Sequence, residues 1–196
     1  MTEFAWTDEL NDVAIRDELD RRHPERIKMR GTDVAGLQQA FSVVEEIWAP
    51  TIGRARRLPP PILHERVNGE YSLIETIRHL LFAWDAWLPH MVLRGPDGYH
   101  DWAVPPDLPA DAGNGVMWSI AAGWSSSDAA PDLDLPVLDV RTERLARVRD
   151  YLSDATAEDL KSVVSPPPWY AQREVSALLC FRVVLHEEWW HHQYAT

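Results

Sequence analysis

The segment that most constrains the fold of this chain is residues 71–88, which read YSLIETIRHLLFAWDAWL. Ser72 and Glu75 have the spacing of a capping box, in which each side chain satisfies a free backbone amide of the first helical turn. Apolar residues then recur at intervals of three and four, as they do in an α-helix that buries one face. They are Leu73, Ile77, Leu80, Leu81, Trp84 and Leu88. The segment predicts a long helix that stops before Gly95-Pro96 and packs against other helices.

Three other segments have the same helical spacing of apolar residues. The first begins after a cap at Thr32 or Asp33 and runs to Pro50, which we expect to kink or end it. The second covers residues 139–155, and the last runs from about Glu174 to the end of the sequence. No series of alternating apolar and polar residues predicts a sheet, so the predicted fold class is all-α.

The connections between these helices predict their arrangement. Short links join the first helix to the second and the third to the fourth, whereas residues 95–136, rich in Pro, Gly, Asp and Ser, form a long crossover. This pattern is typical of a four-helix bundle. We therefore predict a bundle domain over residues 32–196, preceded by an N-terminal extension at residues 1–31. The sequence TAED at residues 156–159 can start a short additional helical turn.

Charge and composition exclude several classes of protein. The net charge is −12 and the largest basic cluster is RARR at residues 54–57, so we expect no nucleic-acid partner and no membrane partner. No apolar run approaches the ~20 residues that span a bilayer, and the acidic N-terminal residues lack the apolar region of a signal peptide. We therefore expect a cytoplasmic protein. Cys180 is the only cysteine, so any metal must be held by His, Asp and Glu.

The last fourteen residues, 183–196, concentrate the polar groups that could carry chemistry; they read VVLHEEWWHHQYAT. Because residues four apart share one face of a helix, Glu187 pairs with His191, and Glu188 pairs with His192. The two pairs point about 100° apart, so only one of them can face the interior of a bundle. The spacing of the neighbouring apolar residues does not choose between them.

His79 lies within the apolar run of the second predicted helix. Metal sites of helical bundles are built from His and carboxylate side chains on facing helices. One His from this helix and one Glu/His pair from the last helix would give three protein ligands. Such a set leaves coordination positions open for water or substrate, as in catalytic rather than structural sites.

Interpretations without a metal also fit these residues. His79 can be a hydrogen-bonded core histidine, and Glu75 is better explained as a capping partner than as a ligand. Glu187 and Glu188 can form a solvated face, and the two histidines that follow can be an exposed helix end favoured by the helix dipole. The histidines expected at the surface or in loops are His23, His64, His90 and His100.

The helix at residues 71–88 and the sequence HEEWWHHQYA at residues 186–195 together resemble the DinB-like superfamily. This superfamily includes thiol-dependent maleylpyruvate isomerases and bacillithiol or mycothiol S-transferases. The resemblance runs from about residue 32 to the end of the sequence. It implies a four-helix bundle of up-down-down-up type, with the long crossover between the second and third helices.

The resemblance also implies a set of metal ligands. Members carry one His on the second helix and a His-Glu-x-x-His-Arg-Gly-Gln-like sequence on the last helix, and their histidines bind a divalent metal. In the best register the ligands are His79, Glu187 and His191, with Glu187 where the first His of the motif usually stands. Glu188 then occupies the position of the motif Glu, and the pair of Glu188 with His192 is the alternative. Two His and one carboxylate suit Zn or Ni first, and Mn or Fe as well.

The function that the resemblance implies is a thiol-dependent S-transferase or isomerase that acts on a small electrophile. The thiol would be a low-molecular-weight cosubstrate, and mycothiol is expected because the preference for Arg over Lys is typical of a GC-rich genome. The electrophile pocket would be shaped by tryptophans of the crossover, Trp102, Trp118 and Trp124.

Two other functions stay open at this point. One is a metal-dependent hydrolase that uses metal-bound water, with Glu188 as the base. The other is a non-enzymatic stress-response or binding protein that keeps the bundle. Because DinB-like proteins often pair, a homodimer is expected in each case.

Overall fold

The computed structural model describes residues 13–88, 99–104, 136–164 and 174–195, with side chains from residue 17 onward. The elements in chain order are α1 (Val13–Arg22), a 3₁₀ helix (Pro24–Met29), α2 (Val34–Ala55), α3 (Pro60–Leu63), α4 (Leu73–Trp87), α5 (Pro136–Asp154), α6 (Ala157–Lys161), β1 (Val163–Val164), β2 (Val175–Ser176) and α7 (Ala177–Tyr194). The described part of the chain is thus mostly helical, as predicted. None of its helices is long and apolar enough to cross a membrane.

Helix α2 begins as predicted but does not end at Pro50. The Asp33 side chain accepts a hydrogen bond from the backbone N–H of Gly36 and caps the first turn. The helix continues past Pro50 because Thr51 and Ala55 extend the buried face of the helix into the core. Proline removes one backbone hydrogen bond, and the burial of this last turn offsets that loss.

Helix α4 has the predicted capping box. Ser72 Oγ accepts a hydrogen bond from the backbone N–H of Glu75, and Glu75 Oε2 accepts one from the backbone N–H of Ser72 at 2.9 Å. Arg66 holds the same carboxylate from the other side, so Glu75 serves the helix terminus and is not a ligand. Nearly every residue of α4 from Ile74 onward is buried, and the helix therefore lies inside the fold.

The third and fourth predicted helices are present with small differences. Helix α5 begins three residues earlier than predicted, at Pro136, and the predicted extra turn is α6, capped by Thr156 and Asp159. Before α7, Val164 pairs with Val175 in a two-stranded antiparallel ribbon that hydrophobic periodicity did not predict. Two residues per strand are too few to show an alternating pattern.

The long helices pack around one core. Helix α4 contacts α5 and α7, and α2 contacts the same two helices. The large side chains at the centre are fully buried and include Phe41, Trp48, Trp84, Leu138 and Phe181. Phe41 lies edge-on to both Trp84 and Phe181, which joins α2, α4 and α7 through aromatic contacts.

The described part of the predicted N-terminal extension packs against α2 and α7 through the 3₁₀ helix. Met29 and the long side chain of Arg26 are buried there. The chain passes very close to α2 at Gly31, where a Cβ would lie 2.8 Å from the Cα of Leu37. Only glycine allows this approach without a shift of the backbone.

A buried ion pair crosses the middle of the core. Glu188 of α7 is completely buried, and its Oε2 accepts a hydrogen bond from Arg141 Nη2 of α5 at 2.5 Å. Its Oε1 accepts a hydrogen bond from the indole Nε1 of Trp84 in α4 at 2.9 Å. The Arg141 guanidinium also lies 4.8 Å from the centre of the Trp48 ring in α2. A single glutamate therefore connects three helices directly and the fourth through its partner.

We expect Arg141→Met to destabilise the protein by about 3–5 kcal/mol, because the substitution leaves the buried Glu188 carboxylate without its cationic partner. Arg147→Met is the matched control on the same helix, since Arg147 pairs with Glu143 in a largely exposed i, i+4 contact and should cost at most about 1 kcal/mol. Urea denaturation of both variants measures the free energies of unfolding. Equal losses in the two variants would contradict the role assigned to Glu188.

Candidate metal centre

Three side chains from α4 and α7 meet at the site that the sequence indicated. Glu187 Oε2 lies 3.1 Å from His191 Nε2 and 3.9 Å from His79 Nε2. One ligand atom from each of the three residues lies within 4.8 Å of the others, so the group could hold a metal ion. Within the described parts of the chain, no second group of three His, Cys, Asp or Glu side chains gathers in this way.

The orientation of His79 is fixed from outside the cluster. Its Nδ1 lies 3.1 Å from the carbonyl oxygen of Val104, and because that oxygen can only accept, Nδ1 must carry the proton and donate. The neutral ring then presents the lone pair of Nε2 to Glu187 and His191. A hydrogen bond from the distal ring nitrogen to a carbonyl is the usual support of a metal-bound histidine.

The electrostatics of the cluster suit a cation. Burial lowers the pKa of His79 and of His191 to about 4, so both imidazoles are neutral near pH 7 and offer lone pairs. Burial also raises the pKa of Glu187 to about 7, because the ionised carboxylate is withdrawn from water without a full positive charge beside it. Two neutral imidazoles and one carboxylate fit Zn²⁺, Ni²⁺, Mn²⁺ or Fe²⁺.

Aromatic rings surround the cluster. The Tyr71 ring stacks on His191 at 6.5 Å and lies 5.7 Å from His79. Phe82 stacks on His79 at 6.2 Å, and Tyr99 stacks on Phe82 at 4.8 Å. These rings limit the access of water to the three ligands, and electrostatic interactions are strengthened where water is excluded.

Residues 99–104 are held against α4 by side chains that the sequence analysis did not single out. Asp85 Oδ2 accepts a hydrogen bond from the backbone N–H of His100 at 2.7 Å, and Arg78 Nε donates to the carbonyl of Trp102 at 2.8 Å. Asp85 is buried, which raises the pKa of its carboxyl, while Arg144 lies 3.3 Å away. The sequence does contain a signal for Asp85, because its carboxylate lies within the apolar run FAWDAWL. These contacts place the Val104 carbonyl beside His79.

The alternative pair, Glu188 with His192, lies elsewhere. Both carboxylate oxygens of Glu188 accept hydrogen bonds in the core, from Trp84 and Arg141. His192 packs edge-on to Trp48, and its Nε2 lies 3.5 Å from Thr51 Oγ1. No third ligand among the described residues joins this pair. The geometry therefore favours Glu187 with His191, and it leaves Glu188 no free oxygen with which to act as a base.

The other predicted positions are only partly described. Trp102 is half-buried and packs edge-on to His100, next to the segment that orients His79. Trp118, Trp124 and His90 lie outside the described residues. The interpretation of Glu187 and Glu188 as a solvated face is wrong, because both side chains are buried.

Comparison with known proteins assigns the chain to a family. The model of the DinB superfamily matches residues 44–195 of the chain. The chain therefore belongs to the DinB superfamily, which confirms the resemblance noted in helix α4 and in the last helix. No curated protein and no solved structure matches it.

The buried carboxyl of Glu187 predicts a pH-dependent stability of the metal-free protein. In the unfolded chain this group ionises near its ordinary pKa of 4.5, but in the folded chain only near a pKa of about 7. The folded chain therefore favours the protonated carboxyl, and the free energy of unfolding decreases as the pH rises between these two values. Since glutamine cannot ionise, Glu187→Gln should gain stability relative to the wild type across this window, by up to about 3 kcal/mol.

This expectation is measured by urea denaturation of both proteins in the presence of a chelator, at about pH 5 and about pH 8. The titrations of His79 and His191 occur in both proteins and largely cancel in the difference. A difference in unfolding free energy that stays constant with pH would show that the Glu187 carboxyl ionises normally in the folded protein.

Proposed function

We propose that this protein is a metal-dependent S-transferase or isomerase of the DinB superfamily that uses a low-molecular-weight thiol of the mycothiol type. In this proposal His79, Glu187 and His191 hold one divalent ion, Zn²⁺ or Ni²⁺ in the first place. The long helices are proposed to form an up-down-down-up bundle, which places the ligands on facing helices. The observation that supports the proposal is the buried, preoriented cluster of two neutral imidazoles and one carboxylate.

The residues of the cluster have separate tasks. The Val104 carbonyl holds the His79 ring in one tautomer, and His191 is stacked against Tyr71. Glu187 supplies the negative charge that compensates a buried cation. A divalent ion bound at such a site lowers the pKa of a thiol and orients its sulfur. Tyr71 and Phe82 keep water away from the same place.

The thiol must come from outside the chain. Cys180 is the only cysteine, its side chain is fully buried in the core, and burial raises the pKa of its thiol to about 12. A buried thiol with so little thiolate is inert as a nucleophile. The nucleophile is then either water or a small thiol from outside the chain, and the base considered for hydrolysis, Glu188, is engaged with Trp84 and Arg141 in the core.

The proposed reaction with an electron-poor alkene balances without an oxidant or reductant. The S–H bond of the thiol breaks, and an S–C bond forms at the electrophilic carbon. The π electron pair moves to the neighbouring carbon, which takes up the proton that the thiol lost. In this proposal the partner of the protein is therefore a small electrophile, and homodimer formation stays a prediction.

We expect the purified wild-type protein to contain roughly one divalent ion per chain, and His79→Ala and His191→Ala to bind it at least tenfold more weakly. His192→Ala is the matched control, because His192 is on the same helix but contacts Thr51 and Trp48. Elemental analysis and metal titration measure the difference. A wild-type protein without metal affinity, or loss of affinity in His192→Ala with full affinity in His191→Ala, would overturn the ligand assignment.

We expect transfer of the thiol to an electron-poor alkene only when both metal and mycothiol are added. The rate should be unchanged in Cys180→Ala, because that side chain lies in the core, and should fall at least a hundredfold in Glu187→Gln. Product formation is followed by mass spectrometry. Metal binding without any thiol-dependent turnover would contradict the transferase and favour a binding protein; turnover of an ester without a thiol would favour the hydrolase.

A further inference from the structure

The ring of His79 is oriented by a backbone carbonyl, that of Val104, whose oxygen lies 3.1 Å from Nδ1 of the ring. In a neutral imidazole, the nitrogen that carries the proton is set by the hydrogen bond that the ring makes. With the proton on Nδ1, Nε2 keeps the lone pair on the side of Glu187, 3.9 Å away. With the proton on Nε2, that nitrogen would have no lone pair to offer to an ion. The position of the Val104 carbonyl therefore decides whether His79 can act as a ligand.

Val104 ends a short turn that begins at His100 and is closed by its own hydrogen bonds. The backbone N–H of Ala103 donates to the carbonyl of His100 at 2.8 Å, and the backbone N–H of Trp102 donates to His100 Nδ1 at 3.1 Å. At the far end of the turn, the backbone N–H of Val104 donates to the carbonyl of Arg78 in α4 at 3.1 Å. His100 is thus the centre of the turn, and a shift of His100 along α4 would move the Val104 carbonyl with it.

Asp85 of α4 holds the other end of this turn. Its Oδ2 accepts a hydrogen bond from the backbone N–H of His100 at 2.7 Å, and its Oδ1 lies 3.3 Å from Arg144 Nε of α5. The side chain is buried, so its oxygens need such partners. An ion pair between α4 and α5 would need only the contact with Arg144. The second oxygen is bonded to the turn, and its charge makes this hydrogen bond stronger than one to a neutral acceptor.

We propose that Asp85 is a positioning residue for His79. It holds the N–H of His100, the turn places the Val104 carbonyl, and that carbonyl keeps the proton of the imidazole on Nδ1. Asp85 and His79 are about 9 Å apart along the axis of α4, so the carboxylate acts through the turn and not by direct contact. The effect on the tautomer concerns the metal-free protein, whereas its consequence, a higher affinity for the ion, rests on the proposed function.

The test compares two double variants that share Arg144→Met, which removes the guanidinium that would otherwise be left unpaired. Asp85→Asn with Arg144→Met keeps an oxygen acceptor for the N–H of His100, and Asp85→Ala with Arg144→Met has none. Neither variant contains the buried charge of a broken pair, so both are expected to fold. The tautomer of His79 is measured by NMR in the metal-free proteins, from the ring nitrogen chemical shifts of isotope-labelled histidine. The pH is about 7, where the ring is neutral because burial lowers its pKa to about 4; His79→Ala assigns the signals.

We expect the Nδ1–H tautomer of His79 in the wild type and in the double variant with Asp85→Asn, and loss of this tautomer in the double variant with Asp85→Ala. Titration with Zn²⁺ should show at least tenfold weaker binding to the variant with Asp85→Ala than to the variant with Asp85→Asn. The proposal is overturned if the wild type lacks the Nδ1–H tautomer, if the variant with Asp85→Ala keeps it, or if both double variants lose it equally. The expected change of tautomer in a protein that binds no Zn²⁺ would support the positioning role and overturn the metal centre instead.

Discussion

The buried contact of Glu188 with Arg141 and Trp84 determines how α7 is rotated in the core. The carboxylate has no access to water, so it must meet donors, and these two side chains of α5 and α4 provide them. If α7 turned by one residue, about 100°, an adjacent glutamate would enter the core without these donors. An unpaired buried carboxylate costs several kcal/mol, so the alternative rotation is strongly disfavoured. With Glu188 fixed, Glu187 faces His79.

Three consecutive residues of helix α7 therefore contact three different parts of the fold. The face of Glu188 contacts the core, the face of Glu187 and His191 contacts α4, and the face of His186 contacts the N-terminal segment. This explains why α7 has buried polar residues on several sides and a weak separation of polar from apolar positions. A helix that is buried nearly all around is expected in the interior of a fold. Each of these buried polar groups interacts with a neighbouring element of the fold rather than with solvent.

The sequence predicted best what depends on residues close together in the chain. The capping box at Ser72 and the extra helical turn after Thr156 could be predicted because each depends on residues three apart, and both are present. The end of α2 could not be predicted from the sequence. Whether the helix continues past Pro50 depends on the burial of Thr51 and Ala55 against distant elements. Local rules describe local energies, and tertiary packing can override them.

The residue types of the candidate site could be predicted from the sequence, but the group that orients His79 could not. Helical spacing left two Glu/His pairs open, and only the family resemblance favoured the one that the structure places beside His79. The group that orients His79 is the carbonyl of Val104, which no side-chain pattern reveals. A glutamate in place of a neutral histidine has a further consequence, because burial makes its ionised form unfavourable without a cation. An ion bound at this cluster would remove this cost, and it would couple metal binding to folding stability through Glu187 more strongly than three histidines would.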